Sequence, residues 1–598
     1  RAVIESDNSV RPFAPIASNF SFAQYSIKFQ DVNITVAMSG KDDELILLIE
    51  TVECLGNCSD YTLNFQGSFA YGPTRSGVAN KDSNVQISLS PTGLGKIEFY
   101  LDLQSREKAL FTSGHDMKLT VPLPSPGMAA GISTSSSMSI YDMKLELQKE
   151  KGDEFQYHQR EYGHLAEITM AIQAGVMFNL IYTPAELSVF TPVSRGWSFT
   201  MNPLHSDLTY VLFGWDNLFA SYQLAIFSKD LAYSGLIQAI RSTKTSNGFI
   251  PNFSAGGAKS QDRTEPPLGA RVLQEIYKKY KDIWIVELLW DDLADYIDWF
   301  FRERILPPEG LIALGSNSVA YTRNTHAAKS MQGARFESGL DNSPMYDGQF
   351  YDSNSSLMQM YDVGMASMVI SECDILANLA SIIGREDASN RMRIRADLMR
   401  SKVAEVLWDE EDEIYTNKFQ NGSFYRRRSP TSFYPLMANV ATDFQVTSMV
   451  EHWLLNKTRF CISQTWPRNN SDACYWGLPS ISADDPAFPN LGYWRGYIWG
   501  PMAMLTYWSL NSNQYTHLSA VQVARKSLCR QMTAMFLEMW RKHGHVCENY
   551  SPHRNAEDCT GDRYYTWGAL AAMTSILEEG YFSQSLSTVQ PFGKEETT

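Results

Sequence analysis

The 598-residue chain is 44% hydrophobic and 12% aromatic, enough to bury more than one core, and it carries a formal net charge of −15. That charge argues against a nucleic-acid partner, because neutralising phosphates takes clustered Lys and Arg. No apolar run reaches the roughly 18 to 20 residues of a membrane span, and the densest stretch, Ile283 to Phe301, is interrupted by Glu287, Asp291, Asp292 and Asp295.

From Gln24 to about position 148 the apolar residues alternate in short runs: Tyr25, Ile27 and Phe29; Ile34 and Val36; Leu45 to Ile49; Val85, Ile87 and Leu89; Ile97, Phe99 and Leu101; Met143, Leu145 and Leu147. Gly, Ser, Asn and Pro punctuate them, which predicts an N-terminal antiparallel β-sandwich domain over 1–150. The polar stretch Glu150 to Glu161 reads as a linker, taken as 151–163.

Beyond Leu165 the period becomes helical. It predicts helices near 164–180, 217–228, 231–243, 267–281, 284–304, 357–384, 388–408, 430–441, 443–455, 496–511, 516–543 and 565–580. Their wide apolar faces ask for several packing neighbours each. Paired as hairpins closed into a ring, they make a mainly α fold: an (α/α)6 barrel over 164–598. The long loops Pro307 to Asp352 and Asn456 to Tyr493 exceed ordinary connections, as functional rims do.

Motifs gather just ahead of these helices. In Phe213-Gly214-Trp215-Asp216-Asn217, either acidic or amide side chain suits a helix cap; alternatively Trp215 stacks on a sugar face while Asp216 accepts hydrogen bonds from its hydroxyls. Gln261, Arg263 and Glu265 precede the double proline Pro266-Pro267, which fixes an extended entry to a helix. Tyr493, Trp494, Arg495 and Trp499 form either an aromatic core or a sugar-stacking wall, and Trp567 follows the same pattern. Glu337 and Asp341 in Glu337-Ser338-Gly339-Leu340-Asp341-Asn342, and Glu548 in Glu548-Asn549-Tyr550, set carboxylates among Gly, Pro and aromatic residues. That suits two groups acting on a glycosidic bond from opposite faces of a sugar. For each acid the plain alternative is a helix cap or a solvated charge.

Two signals address compartment. Sequons begin at Asn19, Asn33, Asn57, Asn252, Asn354, Asn421, Asn456, Asn469 and Asn549, the last a poor acceptor because Pro552 follows. Cys54 with Cys58, Cys461 with Cys474 and Cys547 with Cys559 are spaced to close short loops in an oxidising compartment, leaving Cys373 and Cys529. Together with an opening Arg1 rather than Met, these read as a mature secreted or secretory-pathway protein.

Other chemistries lack support. His543-Gly544-His545 near Cys547 has no second pair at zinc spacing. No phosphate loop, dinucleotide fingerprint or Gly-X-Ser-X-Gly elbow occurs. Asp341, Asp347 and Asp352 suggest a structural calcium, yet their spacing matches no calcium loop, so no cofactor is expected.

Gly214-Trp215-Asp216, Gln261 to Pro267, Glu337 to Asn342, Tyr493-Trp494-Arg495-Gly496 through Trp499-Gly500, and Glu548-Asn549-Tyr550 with Thr560-Gly561 and Trp567-Gly568 together resemble glycoside hydrolase family 63, over about 165 to 581. That family includes processing α-glucosidase I, bacterial α-glucosidases and mannosylglycerate or glucosylglycerate hydrolases. The resemblance implies inverting hydrolysis with Asp341 as general acid and Glu548 as general base, and it places Trp215, Asp216 and Trp494 around the cleaved sugar. Glu265 departs from it by standing where Gln is expected, which bears on the leaving group. The β domain is also shorter than that of eukaryotic α-glucosidase I.

An acid of this kind needs an apolar pocket or a neighbouring carboxylate to stay protonated, Glu337 being one candidate. An inverting pair stands about 6.5 to 9.5 Å apart, leaving room for the attacking water. The expected activity is cleavage of α-glucosidic bonds in short oligosaccharides or glucosides. Alternatives are hydrolysis of a charged glycoside such as a mannosyl- or glucosylglycerate, with Arg263 or Arg335 facing the leaving group, and a lectin-like carbohydrate-binding protein on the same scaffold.

Overall fold

The computed structural model describes residues 10–11, 16–17, 21–29, 32–41, 44–56, 61–67, 79–80, 85–89, 97–103, 110–112, 117–133, 138–183, 188–194, 210–255, 258–320, 327–465, 467, 473–554 and 558–583. The chain divides into two compact units, Arg1–Met177 and Phe178–Thr598.

The first unit carries β1 (Val10–Arg11), β2 (Ala23–Phe29), β3 (Val32–Lys41), β4 (Glu44–Cys54), β5 (Thr62–Gly67), β6 (Ala79–Asn80), β7 (Val85–Leu89), β8 (Ile97–Leu103), β9 (Leu110–Thr112), β10 (Met117–Pro122) and β11 (Ala129–Ser133). They form two antiparallel sheets, ordered β1-β2-β3-β4-β11-β8-β7-β6 and β5-β10-β9. In β4 the period of two holds over Leu45 to Leu48, where Ile46 and Leu48 are buried and Leu45 is 44% exposed, and it breaks at Ile49, which is buried as well.

The segment that alternation marked as a strand at Met143, Leu145 and Leu147, and the expected linker 151–163, are instead one helix, α1 (Ile140–Tyr162). Its buried residues Ile140, Met143, Leu147 and Glu150 recur every three or four positions, and Leu145 is exposed. Ser139 and Asp142 start it with a capping box: the Ser139 hydroxyl accepts from the Asp142 amide, and the Asp142 carboxylate accepts from the Ser139 amide. Ile140, Met143 and Leu147 share a core with Phe22, Ala37, Ile46 and Leu48. Gly131 on β11 permits this approach, since a Cβ there would lie 2.5 Å from the Met143 sulfur. Helix α2 (Ala166–Phe178), buried along most of its length, closes the unit.

The second unit is built from α3 (Gly214–Leu224), α4 (Lys229–Ile237), α5 (Gly269–Tyr280), α6 (Ile283–Glu303), α7 (Met331–Glu337), α8 (Val363–Ile382), α9 (Glu386–Val406), α10 (Asp443–Met449), α11 (Gly500–Leu510), α12 (Ser519–His543) and α13 (Leu570–Glu578). The expected helix at 430–441 is a 3₁₀ segment, Pro430–Leu436, with Pro435 inside it. Proline removes an amide donor and clashes with the preceding turn, so an α-helix cannot run through. Helix α7, inside a segment expected to be loop, is too short to show a period.

Contacts order these elements. Helix α3 packs on α5, α5 on α8, α8 on the 430–436 segment, that segment on α11, α11 on α13, and α13 back on α3, so six segments touch in a closed cycle. Every residue of α3 and α11 is buried; α11 is apolar nearly all round, whereas α3 also buries Asp216, Asn217, Ser221 and Gln223. Helices α4, α6, α9 and α12 pack on members of that cycle and keep polar faces outward. Among the described residues α8 alone is long and apolar enough to cross a membrane, and it is a core helix here, buried at most positions.

Candidate active site

Loops leading into the cycle's helices converge on one aromatic-rich cavity. Of the residues expected to bind sugar, Phe213, Trp215, Asp216, Arg263, Glu265, Tyr493, Trp494 and Trp567 line it, as does Asp341. Asn252, Phe253, Phe336, Gly339 and Tyr565 also line it. The sequence held only weak signals for these: Tyr565 and Gly339 lie inside motifs, whereas Phe253 is brought to the wall by pairing with Phe213 across a short antiparallel ladder.

Aromatic rings make much of the surface. Trp494 lies flat on Trp499 with ring centroids 3.6 Å apart and planes 8° from parallel. Trp499 is therefore a backing slab behind the wall, not part of the lining. Trp567 stands edge-on to Trp215 at 5.6 Å, and its indole N–H donates to the Glu548 carbonyl. Tyr493 is held in the left-handed region at φ 59°, a conformation bulky residues adopt only when their surroundings enforce it.

The helix cap ahead of α3 is Phe213, so Asp216 sits in the first turn instead of capping. Its Oδ1 accepts the Tyr565 hydroxyl at 2.8 Å. Burial, joined by the charges of Glu548 and Asp341, pushes Asp216 up to about 8, against the opposing pull of that hydrogen bond. Asp341 is half-buried on the cavity wall, two residues after Gly339. Gly339 has φ +70°, and a Cβ there would meet the Trp215 ring at 2.7 Å.

Glu548 is fully buried on the strand Cys547–Tyr550, which pairs with Cys559–Arg563 and shifts register between Cys547 and Asn549. Such a bulge re-aims the side chain it carries. The Tyr493 hydroxyl donates to Glu548 Oε1 at 2.7 Å, and the Asp562 amide donates to Oε2 at 2.7 Å. The carboxylate also presses against Gly561 (φ +75°), where any Cβ would overlap it. The Cys547–Cys559 disulfide ties the two strands beside it.

Glu265 accepts the Trp215 amide at 3.0 Å and the Asn252 side-chain amide at 2.6 Å. Burial, with the charges of Asp216 and Asp341 adding to it, raises Glu265 well above the usual carboxylate range. Asn252, expected as a glycan acceptor, is buried, and its Oδ1 also accepts Arg263 Nε at 3.0 Å. That sequon is part of the cavity wall and offers no exposed amide. Arg263 Nη1 reaches Asp262 Oδ2 at 2.9 Å, and its guanidinium lies 5.0 Å over the Phe336 ring.

Glu337, expected near the sugar, lies beneath the wall: it is fully buried and accepts from Arg304 (2.5 and 2.9 Å), the Thr264 amide (3.1 Å) and the Gly315 amide (2.9 Å). It therefore fastens the loops before α5 and after α6. Gln261 is half-buried outside the cavity lining. Arg495 also lies outside it, bonding the Asn342 carbonyl and Asp347, while Arg335 pairs with Asp347 as well.

Cys461–Cys474 and Cys547–Cys559 are disulfides, and Cys373 and Cys529 are free and buried. Cys58, expected to pair with Cys54, lies outside the described residues, as do Asn19, Asn57 and Asn469. Asn354 and Asn421 are exposed, and Asn33 and Asn456 half-buried. His543, His545 and Cys559 cluster, but the sulfur is committed to Cys547 and His543 bonds Asp558 at 2.8 Å.

The family model of the mannosylglycerate hydrolase MGH1-like glycoside hydrolase domain matches residues 209–568, more than half of the chain. Mannosylglycerate hydrolases MGH1 and MGH2 of Selaginella moellendorffii are each 23% identical over 354 residues, covering 48% of this chain and 66% of the relative, so the chain spans just under two thirds of their length. Among solved structures, the GH63 mannosylglycerate hydrolase from Thermus thermophilus in complex with glucose has a TM-score of 0.51 at 17% identity, covering 68% of this chain and 99% of that one. A bacterial glucoamylase complexed with acarbose has a TM-score of 0.52 at 10% identity, covering 96% and 86%. At such identities the structural likeness speaks of fold alone. The match across 209–568 settles the family: the chain belongs to the MGH1-like glycoside hydrolases of family 63.

Proposed function

We propose that the chain is an inverting glycoside hydrolase that cleaves α-glucosidic bonds of short, uncharged oligosaccharides or glucosides. Asp341 gives its proton to the departing glycosidic oxygen. Glu548 takes a proton from the water that attacks the anomeric carbon from the opposite face, so the configuration inverts in one displacement. The single observation that carries this reading is geometric: Asp341 lines the aromatic cavity, and two other lining residues, Tyr493 and Trp567, hydrogen-bond the carboxylate and the carbonyl of Glu548 directly behind it. Trp215, Trp494 and Trp567 offer faces and edges to a pyranose ring, and Asp216 takes its hydroxyls.

The uncharged leaving group follows from the cations. Arg263 is engaged by Asp262 and Arg335 by Asp347, while Asp216, Glu265 and Asp341 are the acids on the lining. A carboxylate entering there finds no uncommitted cation among the described lining residues to neutralise it. The names of the Selaginella relatives favour the second reading, a glycosyl glycerate. We further read the cycle of six segments as an (α/α)6 barrel, the two antiparallel sheets of the first unit as a β-sandwich, and the disulfides as marks of a secreted protein.

The test is a panel of α-linked disaccharides and glycosyl glycerates with proton NMR of the first anomer released. Turnover of a neutral α-glucoside with inversion is expected. A first product of retained configuration refutes the single displacement, turnover restricted to glycerates refutes the uncharged leaving group, and sugar binding without any turnover favours the lectin-like alternative.

A further inference from the structure

A second, open concavity shares no residue with the catalytic cavity. One side is a single face of α4 and the π-helical turn Gln238–Ser242 that continues it: Asp230, Tyr233, Ser234 and Gln238 recur at helical spacing. Ser188 and Trp284 complete the lining. Trp284, in the first turn of α6, is 49% exposed, although Trp is a residue type that is highly buried on average.

The Trp284 ring is braced. Tyr233 meets it at 86° with centroids 5.4 Å apart, and the Tyr233 hydroxyl donates to Asp282 at 3.0 Å, which Lys229 also holds at 3.1 Å. Ser234 and Gln238 also accept from the Val189 amide and the Ser188 hydroxyl, so the polar groups are held in place. A braced, half-exposed indole sharing one groove with them and the Asp230 carboxylate matches the two surfaces of a sugar: an apolar C–H face and a polar rim. Among the described residues no Lys or Arg lines the groove, so nothing in it selects an anion.

We infer that the groove between α4 and Trp284 is a second saccharide-binding site, taking a glycan chain of the class the catalytic cavity hydrolyses. The identity of the ligand rests on the proposed function; the existence of the site rests on the groove alone.

The experiment is calorimetric titration of the full chain carrying Asp341→Asn, which blocks hydrolysis, with maltotetraose and with mannotetraose. Two binding events are expected with one of them. Adding Trp284→Ala weakens one event about tenfold or more, as loss of an aromatic contact does, while Trp284→Phe retains most of it. Asp230→Ala, on the α4 face, weakens the same event and answers the question should the Trp284 variant misfold. In the otherwise native chain, Trp284→Ala hydrolyses a nitrophenyl α-glucoside at the native rate. Titrations with both sugars that neither substitution alters overturn the inference. A native chain that cleaves no glycoside, yet keeps the Trp284-dependent event, overturns the catalytic reading and leaves this one standing.

Discussion

Tyr493 and Glu548 are joined by a 2.7 Å hydrogen bond from phenol to carboxylate. The next amide along, that of Trp494, is held at 2.9 Å by Asn342, the neighbour of Asp341. A short chain of hydrogen bonds therefore runs from the acid's loop to the base. Tyr493→Phe keeps the ring and removes the tether. It is expected to lower kcat about 10- to 100-fold, the scale of one charge-assisted hydrogen bond, with thermal unfolding nearly unchanged. A native kcat in steady-state assays rejects the tether.

Asp341→Asn and Glu548→Gln are isosteric and each removes one proton-transfer group. Turnover is expected to fall about 100- to 10,000-fold in each, with far-UV circular dichroism unchanged. A variant that keeps a tenth of native activity does not carry the role given to it.

Asp216 makes stability depend on pH. Its carboxyl is raised from 3.8 to about 8, so between those values the folded chain keeps a proton that the unfolded chain releases. Its contribution favours folding least at high pH: stability declines as pH rises from about 4 to 8 and then levels. Asp216→Asn should flatten that slope by up to about 1.4 kcal/mol per pH unit, read from urea midpoints at pH 5 and pH 8. An unchanged slope means that Asp216 ionises in the folded chain as it does unfolded.

Glu337 and Arg304 are both fully buried and mutually bonded. Glu337→Gln leaves the guanidinium without its counter-charge and is expected to cost about 3–5 kcal/mol of unfolding free energy. If Glu337 served the sugar instead, its substitution would raise KM and leave the urea midpoint in place.

Much of the second unit was legible because its helices are long and their apolar residues periodic; α6, α8 and α12 lie within a few residues of the expected spans. Motifs ahead of α3, α5, α11 and α13 pointed to Trp215, Glu265, Trp494 and Trp567 because Gly, Pro and Trp cluster there for reasons a helix alone does not need. Local patterns failed where partners were distant. Met143, Leu145 and Leu147 alternate like a strand, and only the Ser139–Asp142 capping box betrays a helix. Nothing around Glu337 announces Arg304, 33 residues away, and Asn252 satisfies a sequon while its amide is spent inside the fold.

The Cys547–Cys559 bond adjoins the residue assigned as base, so electron supply and hydrolysis meet at one hairpin. Helices α11 and α13 contain no cystine, so reduction is expected to spare the far-UV circular dichroism and to act first on the hairpin that carries Glu548, read as lost turnover with an unchanged helical spectrum. Thiol counting therefore belongs before any sample is declared inactive, because a silent preparation reports first on where the polypeptide was made.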